Sequence, residues 1–414
     1  MEDQFIRARA LLSVVTACAC VALAGCGGSG SGSSSADVVH SVPIVLDAGP
    51  ALIDAVNTPY VSVTLCAPGS ATKCQTIDHV LVDTGSSGFR VLASVLGNGV
   101  NSADFAAITD ANGNAVVECT QFADGYTWGP VKQADLKIGG EVASNLPIQV
   151  LGDPAYPSSL IPSTCVNIPG AEEDTVDTFG ANAVLGVGNY IQDCGGGCTN
   201  ASTQDGSAYN VCTSVTPMIC EPVAAGLSAQ VTNPVALFAV DNNGVQIEMA
   251  TVDAGGALTG SGTLVFGIGT KSDNALGSAT VYALDSGFGT LFTEYAGTAL
   301  NRSFIDTGSN GYFFPDASIP VCMDQVDFYC PKSTLAASAQ IEGLNGSVAT
   351  IDFGVESADA MNSADAVEPE LAGPQPAADL TSFDWGLPFF IGRRVVIGLE
   401  NVTLGSVQGP ADAF

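Results

Sequence analysis

The sequence predicts an all-β fold, and three features of its 414 residues support that prediction. Glycine is abundant, with 48 residues, and charged residues make up only 13%, a composition that suits short strands and turns. Apolar residues alternate with small polar ones, as in Tyr60–Leu65 and Leu136–Leu151. Few stretches keep a helical period, and Ser333–Ile341 is the best of them, so we expect helices to be few and short.

The N-terminus predicts export. Two arginines precede the apolar run Ala10–Gly25, whose 16 residues are too few to span a membrane and match the core of a signal peptide. The run ends in Leu23-Ala24-Gly25-Cys26, which resembles a bacterial lipobox. We therefore predict a signal peptide over 1–25, followed over 26–40 by a lipidated Cys26 and a flexible Gly/Ser tether. The alternative is an ordinary signal peptide in which the cysteine is incidental.

The cysteines agree with export. Ten of the thirteen follow Cys26, an even number that favours disulfides in an oxidising compartment, either the periplasm or the cell surface. Cys66–Cys74 and Cys322–Cys330 would each close a short loop, and Cys119–Cys165 is predicted by elimination. The other four allow three pairings that the sequence does not rank: Cys194, Cys198, Cys212 and Cys220. Zinc is the alternative for these four, but their irregular spacing disfavours it, and we expect no metal.

Net charge and histidine content exclude several functional classes. A formal charge of −31 leaves no basic surface for phosphates, so we expect no nucleic acid partner. Only two histidines, His40 and His79, are available to a Ser-His-Asp or Cys-His site, and no nucleophile-elbow motif accompanies them. Catalytic groups must therefore be sought among the carboxylates.

One tetrapeptide occurs twice in matched surroundings. Asp83-Thr84-Gly85-Ser86 and Asp306-Thr307-Gly308-Ser309 are 223 residues apart. Each follows an apolar stretch that reads as a strand, His79–Val82 or Arg302–Ile305, and each precedes another apolar stretch. A single copy would fit an ordinary turn, because Asp, Gly and Ser are common in turns. Two copies favour a duplicated unit that brings one carboxylate from each copy to a shared site.

Such a pair has a specific chemistry. Two carboxylates within hydrogen-bonding reach share a proton and titrate as a coupled pair. One then acts as a base on a water while the other protonates a substrate carbonyl. Glycine permits close approach of the backbone, threonine can hydrogen-bond across the pair, and serine can hold the outer carboxylate oxygen. We therefore predict that Asp83 and Asp306 are catalytic and that the Thr, Gly and Ser after each of them have supporting roles.

These motifs resemble the pepsin-like aspartic peptidases over most of residues 41–414. The resemblance implies two β lobes of double-psi barrel type related by duplication, which we expect at 41–260 and 261–414. It also implies that each lobe threads a later hydrophobic-hydrophobic-Gly strand beside its aspartate strand. Asn182–Gly188 matches that element in the first lobe and Phe389–Gly392 in the second. A family of bacterial exported proteins with the same double Asp-Thr-Gly motif, whose activity is not settled, is similar too.

The same resemblance implies a hairpin that covers the cleft between the lobes and carries a tyrosine. The aromatic stretch Phe122–Gly129 is similar to that hairpin and contains Phe122, Tyr126 and Trp128. The tyrosine position falls on Phe122, and Tyr126 is expected nearer the tip. The missing hydroxyl removes one hydrogen bond near the carboxylates, and the long basic prosegment of pepsin-like zymogens has no counterpart before the first strand.

We therefore expect an aspartic endopeptidase that hydrolyses a peptide or protein substrate in the cleft. It should act as a monomer without a cofactor, anchored to the bacterial cell envelope through Cys26, with a bell-shaped pH profile on the acidic side. Two other classes stay open. One is a peptidase-shaped lipoprotein that binds a peptide or envelope component without cutting it, and the other is a purely structural envelope protein. Phe122 and the missing prosegment favour these classes, whereas the two intact aspartates oppose them.

Overall fold

The computed structural model describes residues 40–50, 53–166, 170–200, 208–213, 216–376 and 379–414. The predicted signal peptide, the lipid on Cys26 and all of the tether before residue 40 lie outside these residues. Among the residues that are described, no helix combines the length and the apolar character needed to cross a membrane.

The described chain is all-β, as predicted. Its first fourteen strands are β1 Ser41–Leu46, β2 Tyr60–Cys66, β3 Cys74–Asp83, β4 Ser87–Leu92, β5 Ala106–Ala107, β6 Ala115–Gln121, β7 Gly125–Ile138, β8 Glu141–Leu151, β9 Ala171–Glu172, β10 Ala183–Val187, β11 Tyr209–Cys212, β12 Cys220–Pro222, β13 Gly244–Met249 and β14 Gly260–Phe266. The others are β15 Val281–Ala283, β16 Leu291–Tyr295, β17 Thr298–Ile305, β18 Tyr312–Phe313, β19 Leu335–Glu342, β20 Val348–Val355, β21 Ala372–Gly373, β22 Asp384–Trp385, β23 Arg394–Gly398, β24 Thr403–Leu404, β25 Val407–Gln408 and β26 Ala411–Ala413.

Helices are short throughout this part of the chain. The two α-helices are α1 Val176–Phe179 and α2 Leu387–Phe390, of four residues each. Short 3-10 helices lie at Ala93–Val95, Ser102–Asp104, Ser158–Leu160, Gly195–Thr199, Leu227–Ala229, Pro234–Leu237 and Ala358–Ala360. Regular structure therefore comes almost entirely from sheet pairing.

The helix expected at Ser333–Ile341 is wrong, because this segment forms β19. Ala339 and Ile341 are buried while Gln340 and Glu342 are exposed, so burial follows the two-residue period of a strand. β19 pairs antiparallel with both β16 and β20. Pairing on both edges outweighs the weak helical spacing of the alanines in this segment.

Within the described residues, seventeen strands join one sheet and seven another. β1 pairs with β14, β14 with β13, and β13 with β23, so the larger sheet combines strands from the two ends of the chain. The smaller sheet consists of β16–β22 and includes the strand before Asp306. The lobe boundary predicted between residues 260 and 261 falls at the start of β14, and the division into lobes stays a prediction.

The strand that we expected to be threaded beside Asp83 is present. β10 lies parallel to β3 and antiparallel to β4, and all five of its residues are buried. This register places Gly186 beside Asp83. A Cβ at Gly186 would lie 2.8 Å from the carbonyl oxygen of Gly88, so only glycine lets the strands approach this closely. The prediction at Asn182–Gly188 is confirmed.

The corresponding prediction at Phe389–Gly392 is wrong. Its first two residues, Phe389 and Phe390, belong to α2, and β22 occupies the threaded position, parallel to β17 and antiparallel to β18. Gly386 follows β22, 80 residues beyond Asp306, and a Cβ there would lie 2.1 Å from the carbonyl oxygen of Gly311. The sequence that threads the second copy is therefore Asp384-Trp385-Gly386, in which an acid stands where an apolar residue was expected.

Five disulfides link cysteines in the described residues. The predicted pairs Cys66–Cys74, Cys119–Cys165 and Cys322–Cys330 are confirmed. The four cysteines that allowed three pairings form Cys194–Cys198 and Cys212–Cys220, so their sulfurs are bonded to each other. Five disulfides are consistent with an oxidising compartment such as the periplasm or the cell surface.

Candidate active site

Asp83 is the last residue of β3, where the chain turns sharply. Val80 and Val82 are fully buried on this strand, which carries Asp83 inward until only 6% of its surface is exposed. The Gly85 N–H donates a hydrogen bond to Asp83 Oδ1 at 2.8 Å, and the Ser86 hydroxyl donates to Oδ2 at 2.5 Å. The motif itself therefore satisfies both oxygens of its carboxylate.

Asp306 is held in the same way just after β17. It is 9% exposed, the Gly308 N–H donates to its Oδ1 at 2.7 Å, and the Ser309 hydroxyl lies 3.0 Å from its Oδ2. Its own N–H donates to the carbonyl oxygen of Trp385 at 3.0 Å, which joins the turn to β22. The repeat in sequence is thus a repeat in local geometry.

The two threonines connect the two copies through crossed hydrogen bonds. The Thr84 N–H donates to Thr307 Oγ1 at 3.1 Å, and the Thr307 N–H donates to Thr84 Oγ1 at 2.9 Å. Each hydroxyl also donates to a carbonyl of the opposite strand, Thr84 to Ile305 at 3.1 Å and Thr307 to Val82 at 2.7 Å. Four buried hydrogen bonds therefore fix the relative position of the two turns.

The two carboxylates meet, as the repeat predicted. The Gly85 N–H, already bonded to Asp83, also donates to Asp306 Oδ1 at 2.9 Å, so one donor serves the inner oxygens of both. A Cβ at Gly85 would lie 2.6 Å from Asp306 Cγ, and a Cβ at Gly308 would lie 2.7 Å from Asp83 Oδ1. Any side chain at either glycine would therefore displace the opposite carboxylate.

The surroundings of Asp306 shift its pKa upward. Burial, followed by the negative charge of Asp83, raises the pKa of Asp306 to about 8. A hydrogen bond with Asp83 acts in the same direction, whereas the Gly308 N–H and the Ser309 hydroxyl lower the pKa. A pKa of about 8 keeps Asp306 protonated at pH 7, so a group able to donate a proton lies directly beside the Asp83 carboxyl.

Sequence reasoning missed a third carboxyl, Asp384 on β22. Its Oδ2 lies 2.5 Å from the Ser309 hydroxyl, and only 6% of the residue is exposed. Burial, followed by the charge of Asp306, raises the pKa of Asp384 well above its usual range. The available signal was an acid two residues before a glycine in an otherwise apolar stretch, but the threaded strand had been placed at Phe389–Gly392.

Arg90 is the second residue that sequence reasoning missed, because it lies within the apolar run of β4. It is 1% exposed, and its Nη2 donates to Glu118 Oε1 at 2.8 Å and to Asp193 Oδ2 at 2.9 Å. The Tyr209 hydroxyl donates to the other Asp193 oxygen at 2.6 Å. Arg90 also lies 5.8 Å from the ring centre of Phe122, so this ion-pair network supports the hairpin above it.

β6 and β7 form the predicted hairpin, with their turn at Phe122–Asp124. Phe122 lines the cleft, and its ring centre lies 6.4 Å from that of Phe179. The position expected for Tyr126 is wrong: it pairs with Gln121 on the returning strand, so Phe122 is nearer the tip. Trp128 is buried against the Cys119–Cys165 disulfide, and of the three aromatic residues only Phe122 is among those lining the cleft.

The carboxylate pair opens into a cleft of about 1890 Å³. Fifteen Asp and Glu residues line it, and within the described part of the chain the one basic residue beside them is Arg90, which is already paired. The whole chain has 42 acidic residues to 11 Lys and Arg, so the cleft is far more acidic than the chain as a whole. Aromatic side chains, including Phe179, Phe313 and Phe328, supply apolar surface.

A family model matches residues 36–414, which include both tetrapeptides, the hairpin and β22. Its description is Protein of unknown function (DUF3443). The chain belongs to this family. No curated protein matches the chain. The match spans both copies of the motif, so both aspartates lie within the residues that the family model covers.

Proposed function

We propose that this protein is an aspartic endopeptidase of pepsin-like fold, with Asp83 as the base and Asp306 as the acid. One observation carries the proposal: the single Gly85 N–H that donates to the inner oxygens of both carboxylates, at 2.8 and 2.9 Å. A pair held this closely can bind one water between its members and share one proton. The insertion of β10 and β22 beside matching turns supports a fold built from two copies of one unit.

The reaction follows from the protonation states. Asp83, as carboxylate, accepts a proton from the water while the water oxygen attacks the carbonyl carbon of the peptide bond. Asp306 gives its proton to the carbonyl oxygen, which yields a neutral tetrahedral intermediate. Breakdown returns one proton to Asp306 and delivers the other to the leaving amide nitrogen, so the pair ends as it began. The mechanism needs neither a metal nor a covalent intermediate.

The lining of the cleft favours a cationic substrate segment. Besides Asp83, Asp306 and Asp384, its acids include Glu173 and Glu368, and both have raised pKa values. Burial, then the charge of Asp124, raises the pKa of Glu173 to about 8, and burial, then the charge of Asp365, raises that of Glu368 to about 7. A lysine or arginine side chain in the cleft would neutralise this mutual repulsion, so charge complementarity favours basic peptides.

The decisive experiment uses two unfolded peptides of equal length, one rich in Lys and one rich in Glu, from about pH 3 to 9, the range over which coupled carboxylates titrate. We expect cleavage of the Lys-rich peptide, with a falling limb near pH 8 where Asp306 loses its proton, which lies above the acidic range that the sequence predicts. Asp83→Asn and Asp306→Asn keep the side-chain shape but remove the shared proton, so each should lower kcat/KM by orders of magnitude. A statine peptide, which mimics the tetrahedral intermediate, should inhibit the wild type.

Cleavage that survives in both Asn variants would show that other residues perform the chemistry. If the wild type binds the Lys-rich peptide at every pH but cuts neither, the protein is a binding module that uses the same cleft. Membrane recovery of the mature protein compared with a Cys26→Ser variant tests the proposed lipid anchor separately.

A further inference from the structure

Asp384 distinguishes the second copy of the motif from the first. On β22 it pairs with Phe304, two residues before Asp306. The matching position on β10 is Val184, which pairs with Leu81, two residues before Asp83. The fold therefore presents the same buried position to both aspartates, and fills it with a methyl-bearing side chain in one copy and a carboxyl in the other.

The Ser309 hydroxyl lies between two carboxyl groups. It is 2.5 Å from Asp384 Oδ2 and 3.0 Å from Asp306 Oδ2, and both are hydrogen-bonding distances. A hydroxyl has one hydrogen, and an ionised carboxylate has none to donate. The two contacts are both hydrogen bonds only when one of the carboxyls is protonated and donates to Ser309.

The surroundings indicate which carboxyl donates. Asp306 Oδ1 faces Asp83, because the Gly85 N–H donates to the inner oxygens of both, and a hydrogen bond with Asp83 holds the Asp306 proton on that side. The outer oxygen of Asp306, Oδ2, is then left to accept a hydrogen from Ser309. Asp384 Oδ1 is buried and has no hydrogen-bond partner among the described residues. An ionised Asp384 would leave a charged oxygen buried and without a protein donor, which is strongly unfavourable. Asp384 is therefore the protonated donor to Ser309, and the Ser309 hydrogen points to Asp306.

We propose that Asp384 is a neutral positioning residue that, through Ser309, fixes a hydrogen bond on the outer oxygen of Asp306. An ionised Asp384 would take the Ser309 hydrogen for itself, whereas Ser86 has no such competitor because Val184 stands beside it. The protonation of Asp384 stands on the geometry alone, and its effect on hydrolysis rests on the function proposed above.

The neighbouring groups agree with a neutral Asp384. The turn after β17 contributes Asp306, and the turn after β3 contributes Asp83, both of which oppose a further negative charge. From β18, Tyr312 pairs with the adjacent Trp385, and burial raises the pKa of Tyr312 to about 12, so it is uncharged. Asp306 and Asp384 thus each hold a proton at neutral pH.

The test measures protonation by infrared spectroscopy on protein labelled with ¹³C at the aspartate side-chain carboxyls, which separates aspartate from glutamate bands. Asp384→Asn keeps a donor toward Ser309, and Asp384→Val copies the residue of the first copy. We expect the wild-type spectrum to contain one protonated-carboxyl band, from about pH 4 to 8, that both variants lack. If neither variant loses a band over that range, Asp384 is ionised and the proposal is overturned.

The positioning role has its own readout, the titration of Asp306 in the same spectra. A hydroxyl that accepts a hydrogen bond donates more strongly, so Asp384→Val should shift the Asp306 titration upward while Asp384→Asn leaves it close to wild type. In a Ser309→Ala background the two variants should titrate alike, because the connection is gone. If Asp384→Val shifts the Asp306 titration equally with Ser309 and with Ala at position 309, Asp384 does not act through Ser309 and the positioning role is overturned. Neither spectroscopic measurement requires the protein to cleave a substrate. An inactive protein would therefore refute the peptidase proposal, whereas the proposal for Asp384 could still be tested.

Discussion

The two copies of the motif hold their aspartates with the same hydrogen bonds, yet their surroundings differ in two places. Seven residues beyond Asp83 stands Arg90, fully buried between two carboxylates, whereas the same offset from Asp306 gives Phe313, which lines the cleft. The threaded strand contributes Val184 to one side and Asp384 to the other. The matching backbone structure of the two turns therefore determines where the two carboxylates lie. Individual side chains around each turn make the chemical environments of the two carboxylates different.

The largest effect should come from Arg90. Arg90→Met leaves Glu118 and Asp193 buried without their cation, and breaking a buried pair in this way costs about 3–5 kcal/mol of stability. The equivalent change on the other side, Phe313→Leu, is close to volume-conserving and should cost less than about 1.5 kcal/mol. Denaturant unfolding at pH 7 measures both. A similar loss in the free energy of unfolding for Arg90→Met and Phe313→Leu would show that the two copies of the motif depend equally on these positions.

The next effect should be a loss of activity that is similar for the two copies of the motif. In Gly85→Ala and Gly308→Ala the new Cβ would lie 2.6 Å from Asp306 Cγ and 2.7 Å from Asp83 Oδ1, so the opposite carboxylate must move. A misplacement of about 1 Å costs on the order of 100-fold in rate, so each variant should lose at least that in kcat/KM. Gly255→Ala is the control, because a Cβ there meets nothing within 4 Å. A loss in only one of the two variants would break the symmetry.

The third effect is confined to the pH dependence of stability. The pKa of Asp306 is about 8 in the folded protein against a usual 3.8, so between these values the folded state binds a proton that the unfolded state has lost. Its contribution to the free energy of unfolding therefore falls as pH rises from about 4 to 8. Asp306→Asn removes this contribution, and calorimetric Tm values across that range should fall less steeply than in wild type. If the plots of Tm against pH for the wild type and Asp306→Asn are parallel, Asp306 is not protonated in the folded protein over this range.

The strands that carry the aspartates could be predicted because each apolar stretch leads into a turn motif, and the motif occurs twice. The threaded strand beside Asp83 was predicted from the resemblance to pepsin-like peptidases, and the apolar segment Ala183–Val187 matched it. The threaded strand of the second copy was misplaced because Asp384 interrupts the expected apolar pattern. Phe389–Gly392 matches that pattern but does not form the strand. Arg90 was hidden for a related reason: its charge is neutralised by Glu118 and Asp193, which lie 28 and 103 residues away. Local sequence does not reveal partners brought together only by the tertiary fold.

The crossed threonine hydrogen bonds have a consequence for folding order. They join turns 223 residues apart, and contacts between such distant segments form late because a long loop must close first. A nascent chain that has emerged only through the first turn carries Asp83 without Asp306. The proton-sharing pair comes into existence at the moment the two turns dock. For the proposed hydrolase, a chain whose two turns have not yet docked therefore lacks the carboxylate pair, and we expect it to be inactive.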